Sequence, residues 1–477
     1  MLDEDRRPAG RPSVPPVLSI SEILIYIFRE LDNASRAAAA RVCQTWVEAA
    51  LDVLWEDLES PLPIMALLGP IRDYYTRGWD WETGSPDGDW PRFASYTKRV
   101  RSFSYDGRLY SRGGYTEYSI ASNVPAKLLS YVATNHGAYL LPQNQRLRWR
   151  AFSEKSLQEI PSFLSPNIKG VDVEIKEQTS SAIYQLLRTL QEVLPHDMVS
   201  LRFVPHNTMG DELEAEMTRA INFRSNLRVL RLPVFPMNTS MFIPNLRVLE
   251  AESDSAWNSD PGAILLHLSE KCPLIEDLRI LFPGDSVLTA ESVRPLFRCS
   301  NLRSLDLEYT GAVDIQDQHI REMGGAWRDL EALHISSRRA YDGPLGRPSG
   351  IPIASLVTFA QAFSPKLRKL AIHINSSDAP LPPNPPVCFP NLEFFSVGTS
   401  RLGYSETEYR RIAWFLGSVL PLRIHSVNSD VLSFNRYRSV FKFKPHEDGR
   451  FRWSASPVWD MVSGMLYDYR KTSSNDA

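Results

Sequence analysis

The stretch that decides the fold is Asn301–Leu307, which reads NLRSLDL, because its pattern recurs along the chain. The unit Asn-Leu-x-x-Leu-x-Leu is equally plain at Asn226–Leu232 (NLRVLRL), and Asp329–Ile335 (DLEALHI) is a close variant. The first apolar residues of nine copies are Ile168, Met198, Leu227, Leu246, Ile275, Leu302, Leu330, Leu367 and Leu392. Most of these starts lie 25 to 30 residues apart. Such a period is the sequence signature of a repeat architecture.

The apolar positions of each copy predict what the repeat forms. The last two alternate as side chains do on a strand, so every copy directs a row of aliphatic side chains to one face. Stacked copies therefore predict one parallel sheet. The segments between copies, such as 182–193, 212–221 and 263–272, have helical periodicity and are expected to cover the sheet. Degenerate earlier copies occur at Val100–Tyr105 and Asn144–Trp149. The chain is thus predicted to be an α/β protein.

A different pattern precedes the repeats, at Leu18–Trp55 (LSISEILIYIFRELDNASRAAAARVCQTWVEAALDVLW). Ser19 and Glu22 have the spacing of a capping box, which predicts that a helix begins near Ile20. A second helical run is expected from about Ser35. Two or three short helices cannot bury both of their faces. Periodicity alone leaves two possibilities open: a cap on the larger domain, or a surface for a partner helix.

Several short runs in this stretch resemble the F-box motif. They are Ile20–Leu24, Ile27-Phe28, Leu31-Asp32, Val42-Cys43, Trp46 and Leu54-Trp55. The chain departs from the motif at Ser21, where proline is usual, and at 35–37, where the second helix often has leucine. The resemblance implies docking on a Skp-type adaptor and, through it, on a cullin. The residues it assigns to adaptor contact are Leu18, Ile20, Ile23, Leu24, Ile27, Phe28, Leu31, Val42, Cys43, Trp46, Leu54 and Trp55.

The order of the two patterns resembles that of F-box/leucine-rich-repeat substrate receptors, particularly the fungal set. The resemblance implies a short N-terminal all-α F-box, followed by an irregular leucine-rich-repeat solenoid with parallel strands on the concave side and helices on the convex side. The expected organisation is a disordered tail (1–15), the F-box (16–60), a connector with a Trp/Gly loop (61–94), the solenoid (95–429), a C-terminal cap (430–470) and a tail (471–477).

Composition excludes some classes of partner and compartment. A formal net charge of -3 gives no overall basic field, so neither nucleic acid nor a membrane is an expected partner. The four cysteines show no CxxC spacing, and the first 15 residues lack the apolar run of a signal peptide. We therefore expect a reducing compartment, the cytoplasm or the nucleus.

Catalytic and cofactor signatures are missing from the sequence. The nine histidines have no HExxH or similar spacing, and there is no GxGxxG, Walker or GxSxG motif. We expect no enzyme activity, no cofactor and no metal. Cys272 and Cys299 each lie three residues before a repeat start, which predicts small buried side chains.

The polar positions of the repeat strands are the candidate contacts for a target protein. They include Arg202, Arg231, Arg279, His334 and His373, and alternation predicts that both histidines are solvated. One interpretation is that the arginines clamp an acidic or phosphorylated peptide. The other is that they only keep the sheet soluble.

Together these patterns predict a non-catalytic substrate-recognition subunit of a cullin-RING ubiquitin ligase, with an unknown target protein. Two alternatives stay open. The chain could bind its adaptor without serving degradation, or it could be a repeat scaffold for protein interactions whose first helices only cap the solenoid.

Overall fold

The computed structural model describes most of the chain. The described residues are 20–74, 78–83, 88–106, 124, 127–128, 130, 132, 139–151, 154–175, 180–205, 211–221, 224–232, 243–251, 260–282, 288–309, 311–337, 350–375, 381–382, 388–398, 400, 405–421, 424 and 461–468. The two predicted tails, Leu18 and all of the predicted C-terminal cap except 461–468 lie outside them. The chain divides into two compact units, Met1–Asn207 and Thr208–Ala477.

The first unit begins with three short helices, α1 (Ser21–Arg29), α2 (Asn33–Ala39) and α3 (Gln44–Glu56). They share a small core, which is formed by Leu24, Phe28, Ala39, Ala49, Ala50 and Val53. Asp32 caps α2, because its side chain accepts a hydrogen bond from the Ser35 amide at 2.7 Å. That hydrogen bond holds the pKa of Asp32 below its ordinary value.

Two details of this region differ from the sequence prediction. The N-cap of α1 is Ile20, whose side chain cannot accept a hydrogen bond, and the predicted capping residue, Ser19, lies outside the described residues. The predicted second run is two helices, since the chain turns between Ala39 and Gln44.

A parallel sheet follows α3 without an intervening linker. Its strands in the first unit are adjacent in the order β1 (Asp57–Leu58), β4 (Ser102–Asp106), β5 (Arg146–Ala151), β6 (Gly170–Ile175) and β7 (Ser200–Pro205). The sheet therefore starts at Asp57, well before residue 95. An antiparallel hairpin, β2 (Ile71–Tyr74) and β3 (Gly78–Trp81), lies between β1 and β4 in the chain.

The repeat pattern becomes a parallel sheet in the second unit as well. The strands follow one another as β8 (Val229–Leu232), β9 (Val248–Ala251), β10 (Asp277–Phe282), β12 (Ser304–Tyr309), β14 (Ala332–Ser337), β16 (Lys369–Ile372) and β18 (Phe394–Ser396). Two short parallel pairs are separate from it, β11 (Leu288–Thr289) with β13 (Val313–Asp314), and β15 (Ile351–Pro352) with β17 (Ile374–Asn375).

The register of this sheet aligns equivalent repeat positions. One buried row runs across all seven strands, through Leu230, Leu249, Leu278, Leu305, Leu333, Leu370 and Phe395. A one-residue slip would expose this whole row, so the hydrophobic pattern specifies the register. The predicted α/β class, with an N-terminal helical module before parallel strands, is confirmed.

Helices connect most of the strands. They are α4 (Leu62–Ala66), α5 (Trp90–Thr97), α6 (Glu154–Glu159), α7 (Ser180–Val193), α8 (Asp211–Ile221), α9 (Pro261–Lys271), α10 (Ala290–Val293), α11 (Asp317–Ala326), α12 (Leu356–Phe363) and α13 (Glu406–Val419). Residues 461–468 are also helical. The helices predicted at 182–193, 212–221 and 263–272 are thus confirmed as α7, α8 and α9.

The asparagine that begins a repeat has a structural role. Asn245 Nδ2 donates a hydrogen bond to the Ser225 carbonyl at 3.0 Å, and Asn391 Nδ2 donates to the Pro365 carbonyl at 2.8 Å. In each case the acceptor belongs to the preceding copy. The amide therefore satisfies a turn carbonyl that no strand can pair.

One tryptophan of the predicted connector and two of the cysteines contribute to packing. Trp81 is buried and donates from Nε1 to the Met65 carbonyl at 3.0 Å, so this tryptophan fixes the hairpin to α4. Cys272 and Cys299 are buried, as predicted. Across the described residues, no helix combines the length and apolarity that a membrane span needs.

Candidate functional site

The three N-terminal helices present apolar side chains to solvent. Leu24 and Phe28 of α1 pack into the small core, whereas Ile27 on the same helix and Ile20 at its N-cap stay exposed. Ile20 is 44% exposed and Ile27 is 42% exposed, while Val42, in the turn before α3, is 61% exposed. We call Ile20, Ile27 and Val42 the exposed apolar trio. Its members are large aliphatic groups, and hiding such groups from water is the usual driving force for association.

The other residues assigned to adaptor contact are not equally accessible. Leu24 and Phe28 are buried in the core of the module. Those that are half-buried are Ile23, Leu31, Cys43, Trp46, Leu54 and Trp55. The predicted set therefore divides into a solvent-facing part and a part that holds the helices together.

Both tryptophans contribute to packing inside the first unit. The Trp46 ring meets Phe28 edge-on, with ring centroids 5.5 Å apart. The Trp55 ring lies 4.7 Å from that of Tyr96, on α5. Tyr26 is an exposed apolar residue that the sequence reasoning missed, since it is 74% exposed on α1 but lies outside the motif. Its position between Ile23 and Ile27 was the available signal.

Charged side chains join the module to the first strands. Arg99 donates from Nη2 to Glu48 Oε2 at 2.6 Å and also pairs with Asp52. Burial lowers the pKa of the Arg99 guanidinium, but hydrogen bonds and charges on Glu48 and Asp52 outweigh this, and the pKa is raised. The Arg101 amide donates to the Glu56 carbonyl at 2.9 Å. The module is thus bonded directly to the sheet.

A charged cleft of about 500 Å³ lies beside this junction. Arg29 closes part of it through a bidentate pair with Glu56, at 2.8 Å and 3.0 Å. Lys98, Arg101 and Glu48 also line the cleft. Basic and acidic groups are nearly balanced, so the cleft has no strong preference for a ligand of one sign.

The arginines proposed to clamp an acidic target are neutralised within the sheet. In the first unit, Arg202 Nη1 lies 3.0 Å from Asp172 Oδ1 on the neighbouring strand. In the second unit, Arg231 Nε lies 3.0 Å from Glu250 Oε2. Arg279 contacts the same Glu250 at 2.7 Å. Each arginine thus faces a carboxylate. The arginines therefore offer little net positive charge to attract an acidic or phosphorylated peptide.

Both candidate histidines are buried, so the prediction that they are solvated was wrong. His334 is 1% exposed, and its Nδ1 lies 2.6 Å from Asp306 Oδ1. His373 is 4% exposed, and burial lowers its pKa to about 4. Alternation correctly assigned both side chains to the polar face, but it gives no information on whether that face is covered.

One cluster on the polar face could not be found from local spacing. The donor atoms of Asp306, Glu308 and His334 lie within 4.8 Å of one another, and all three residues are buried. The two strands are consecutive in the sheet but one full repeat apart in the chain. The available signal was that Asp306 and His334 occupy equivalent positions in their copies.

Comparison with known proteins identifies the N-terminal module. Residues 21–59 match the F-box-like family. This range covers α1, α2, α3 and β1, so the chain contains an F-box-like domain whose last residues already belong to the sheet. Among curated proteins, none matches the chain.

Two solved structures have a partly similar architecture. The structure of the Rad7 and Elc1 complex in yeast is 12% identical with a TM-score of 0.33, covering 86% of this chain and 88% of that chain. The TLR13-ssRNA13 complex is 10% identical with a TM-score of 0.31, covering 71% of this chain. This chain spans about half of the TLR13 chain, 52%.

Proposed function

We propose that the chain is a non-catalytic substrate-recognition subunit of a Skp–cullin–F-box ubiquitin ligase. The F-box-like domain docks on a Skp-type adaptor and through it on a cullin, and the repeat sheet binds a target protein. The observation that carries the proposal is the exposed apolar trio on a domain that matches the F-box-like family.

The trio has the properties of a docking surface for partner helices. Ile20, Ile27 and Val42 lie on or next to helices that share a small core, so they are presented without much cost in ordering. Fully burying an exposed side chain of this size contributes about 1.5–3 kcal/mol, and each member of the trio, being partly covered already, gains about half of that. Three of them supply enough apolar burial to anchor a helix-in-groove contact.

In this function the chain positions the target protein and catalyses no reaction itself. A separate subunit transfers ubiquitin, while the receptor raises the effective concentration of the target's lysines near that subunit. The direct bonding of α3 to the sheet suits this role. Arg99 and the Glu56 carbonyl hold the adaptor-binding helices in a fixed orientation to the first repeats.

Burial reduces the number of candidate residues that a target protein could contact. Arg202 and Arg231 are partly exposed, whereas Arg279, His334 and His373 are largely buried. Because Arg202 and Arg231 each pair with a carboxylate, the favoured target is a protein surface of mixed polarity and not a strongly acidic peptide.

The proposed compartment is the cytoplasm or the nucleus. All four cysteines are free thiols. Free thiols suit the reducing compartments in which cullin-RING ligases operate.

Proximity labelling in cells tests the ligase role. The wild-type chain and a Val42→Asp variant are each fused to a labelling enzyme and compared with and without proteasome inhibition. We expect the wild type to label adaptor, cullin and a set of proteins that accumulate on inhibition. The Val42→Asp variant should retain the targets but lose adaptor and cullin, and its targets should no longer respond to inhibition.

A matched control is Leu266→Asp, since Leu266 is 41% exposed on α9, far from the module in sequence. It should behave as the wild type. Labelling of adaptor and cullin without any target that accumulates on inhibition would contradict the degradation role. Absence of adaptor and cullin from the wild-type set would contradict the whole proposal and favour a repeat scaffold.

A further inference from the structure

Asp306, Glu308 and His334 are brought together by the regular register of the sheet. Asp306 and Glu308 lie two residues apart on β12, so both carboxylates point to the same face. His334, on β14, is the register partner of Asp306. Because β-ladders hold all three backbones, their relative positions do not depend on a loop.

The cluster carries more negative than positive charge. Arg279 is the arginine that faces it, and its shortest contact is to Glu250, at 2.7 Å. Its contacts to Asp306 and Glu308 are longer, at 3.3 Å and 3.4 Å. One guanidinium is therefore shared among three carboxylates, and Glu250 has a further partner in Arg231. Buried excess charge is unfavourable unless a cation compensates it.

Two ligand atoms of the cluster lie close together without a hydrogen bond of normal geometry between them. Asp306 Oδ1 is buried and accepts no hydrogen bond within the described part of the chain, although His334 Nδ1 lies 2.6 Å away. Asp306 as a whole is only 4% exposed. Asp306 Oδ1 and His334 Nδ1 are therefore both available as ligands to one cation, which would move them slightly apart as it binds.

We propose that Asp306, Glu308 and His334 bind a divalent metal ion, with Zn²⁺ as the best fit. Zinc accepts imidazole nitrogen together with carboxylate oxygen, and three protein ligands leave one coordination position open. The mixed nitrogen and oxygen set disfavours Ca²⁺ and Mg²⁺, which prefer oxygen alone. A bound ion joins two consecutive repeats and neutralises the excess charge beside Arg279.

Metal binding by the chelator-treated full-length chain tests this proposal. Isothermal titration with Zn²⁺ should give one equivalent per chain and a rise in the unfolding temperature. Asp306→Asn and His334→Gln should each weaken the affinity more than about tenfold, because each removes a direct ligand. Asp172→Asn is the matched control, since Asp172 lies on the polar face of β6 but faces Arg148 and Arg202. It should leave the affinity unchanged.

Cobalt substitution in the wild type identifies the ligands by spectroscopy, so it tests the proposal even if either variant fails to fold. Co²⁺ bound by one imidazole and two carboxylates gives d–d absorption without a thiolate charge-transfer band. A thiolate band would assign the ion to Cys272 or Cys299 and overturn the proposal. So would the absence of stoichiometric Zn²⁺ binding by the wild type, or binding that survives both ligand substitutions.

Discussion

Arg99 and Glu48 form a hydrogen-bonded ion pair at 2.6 Å that joins α3 to the segment preceding β4. The Arg99 side chain is almost fully buried, whereas that of Glu48 is largely exposed. Asp52, one turn further along α3, binds the same guanidinium. The pair therefore joins the F-box-like module to the first repeats through a buried guanidinium, although solvent reaches both of its carboxylate partners.

Replacing Arg99 should destabilise the first unit more than replacing an exposed arginine. Arg99→Met keeps the buried stem but removes the hydrogen bonds to Glu48 and Asp52. We expect a loss of about 1–3 kcal/mol, the usual cost for hydrogen bonds of a charged group. Urea denaturation followed by circular dichroism measures it.

Arg29→Met is the matched control, because Arg29 also pairs with an α3 carboxylate, Glu56, but is half exposed. Its loss should be below about 1 kcal/mol, as for surface ion pairs. Equal losses for the two variants would show that Arg99 has no special role at the junction.

His373 should make the stability of the second unit depend on pH. Burial lowers its pKa to about 4, so the folded chain keeps the imidazole neutral while the unfolded chain takes up a proton near the ordinary value of 6.5. The stabilisation is fully present above pH 6.5 and is lost as the pH falls to about 4. The full effect is about 3 kcal/mol, from 1.36 kcal/mol for each pKa unit.

Denaturation curves between pH 7 and pH 4 measure this effect. His373→Gln cannot titrate, so its stability should fall less over this range than that of the wild type. His196→Gln, at an exposed histidine, should follow the wild type. Parallel curves for the wild type and His373→Gln would contradict the burial of His373.

The cysteines should divide into reactive and protected thiols. Burial raises the pKa of Cys272 to about 12 and that of Cys299 to about 11, so both are protonated at pH 8 and shielded from reagents. Cys388 is exposed. Maleimide labelling read by peptide mass spectrometry should modify Cys388 in the native chain.

Cys272 and Cys299 should react only after urea is added. Rapid native labelling of either would mean that the ends of the helical connections before β10 and β12 are open to solvent. The unfolded chain provides the control, since all four cysteines should then be modified.

Much of the fold follows from the sequence, because one pattern specifies it repeatedly. The apolar residue at the fifth position of a copy, such as Leu305 or Leu333, is buried and in register with its neighbours. Repeated apolar alternation leaves one register that buries every copy. The start of α1 was predicted to within about one residue, whereas that of α3 was not, since Cys43 caps no amide with its side chain.

The candidate sites were only partly predictable. The motif located the F-box-like domain, but burial divides its residues, so that Phe28 and Trp46 pack together while Ile27 faces solvent. On the sheet, the partner of Arg231 is Glu250, and the partner of His334 is Asp306. These pairs join residues in different copies. Local spacing within a single copy therefore cannot reveal them.

Affinity for a purified Skp-type adaptor tests the docking of the F-box-like domain most directly. Wild type is compared by isothermal titration with an Ile27→Asp/Val42→Asp double variant, which leaves Phe28 and Trp46 intact, and with Leu266→Asp as the control. We predict that the wild type and the control bind equally, and that the double variant binds at least about 100-fold more weakly, as expected when two apolar anchors are lost. Failure of the wild type to bind, or undiminished binding by a double variant with a native circular dichroism spectrum, would contradict adaptor docking through this face.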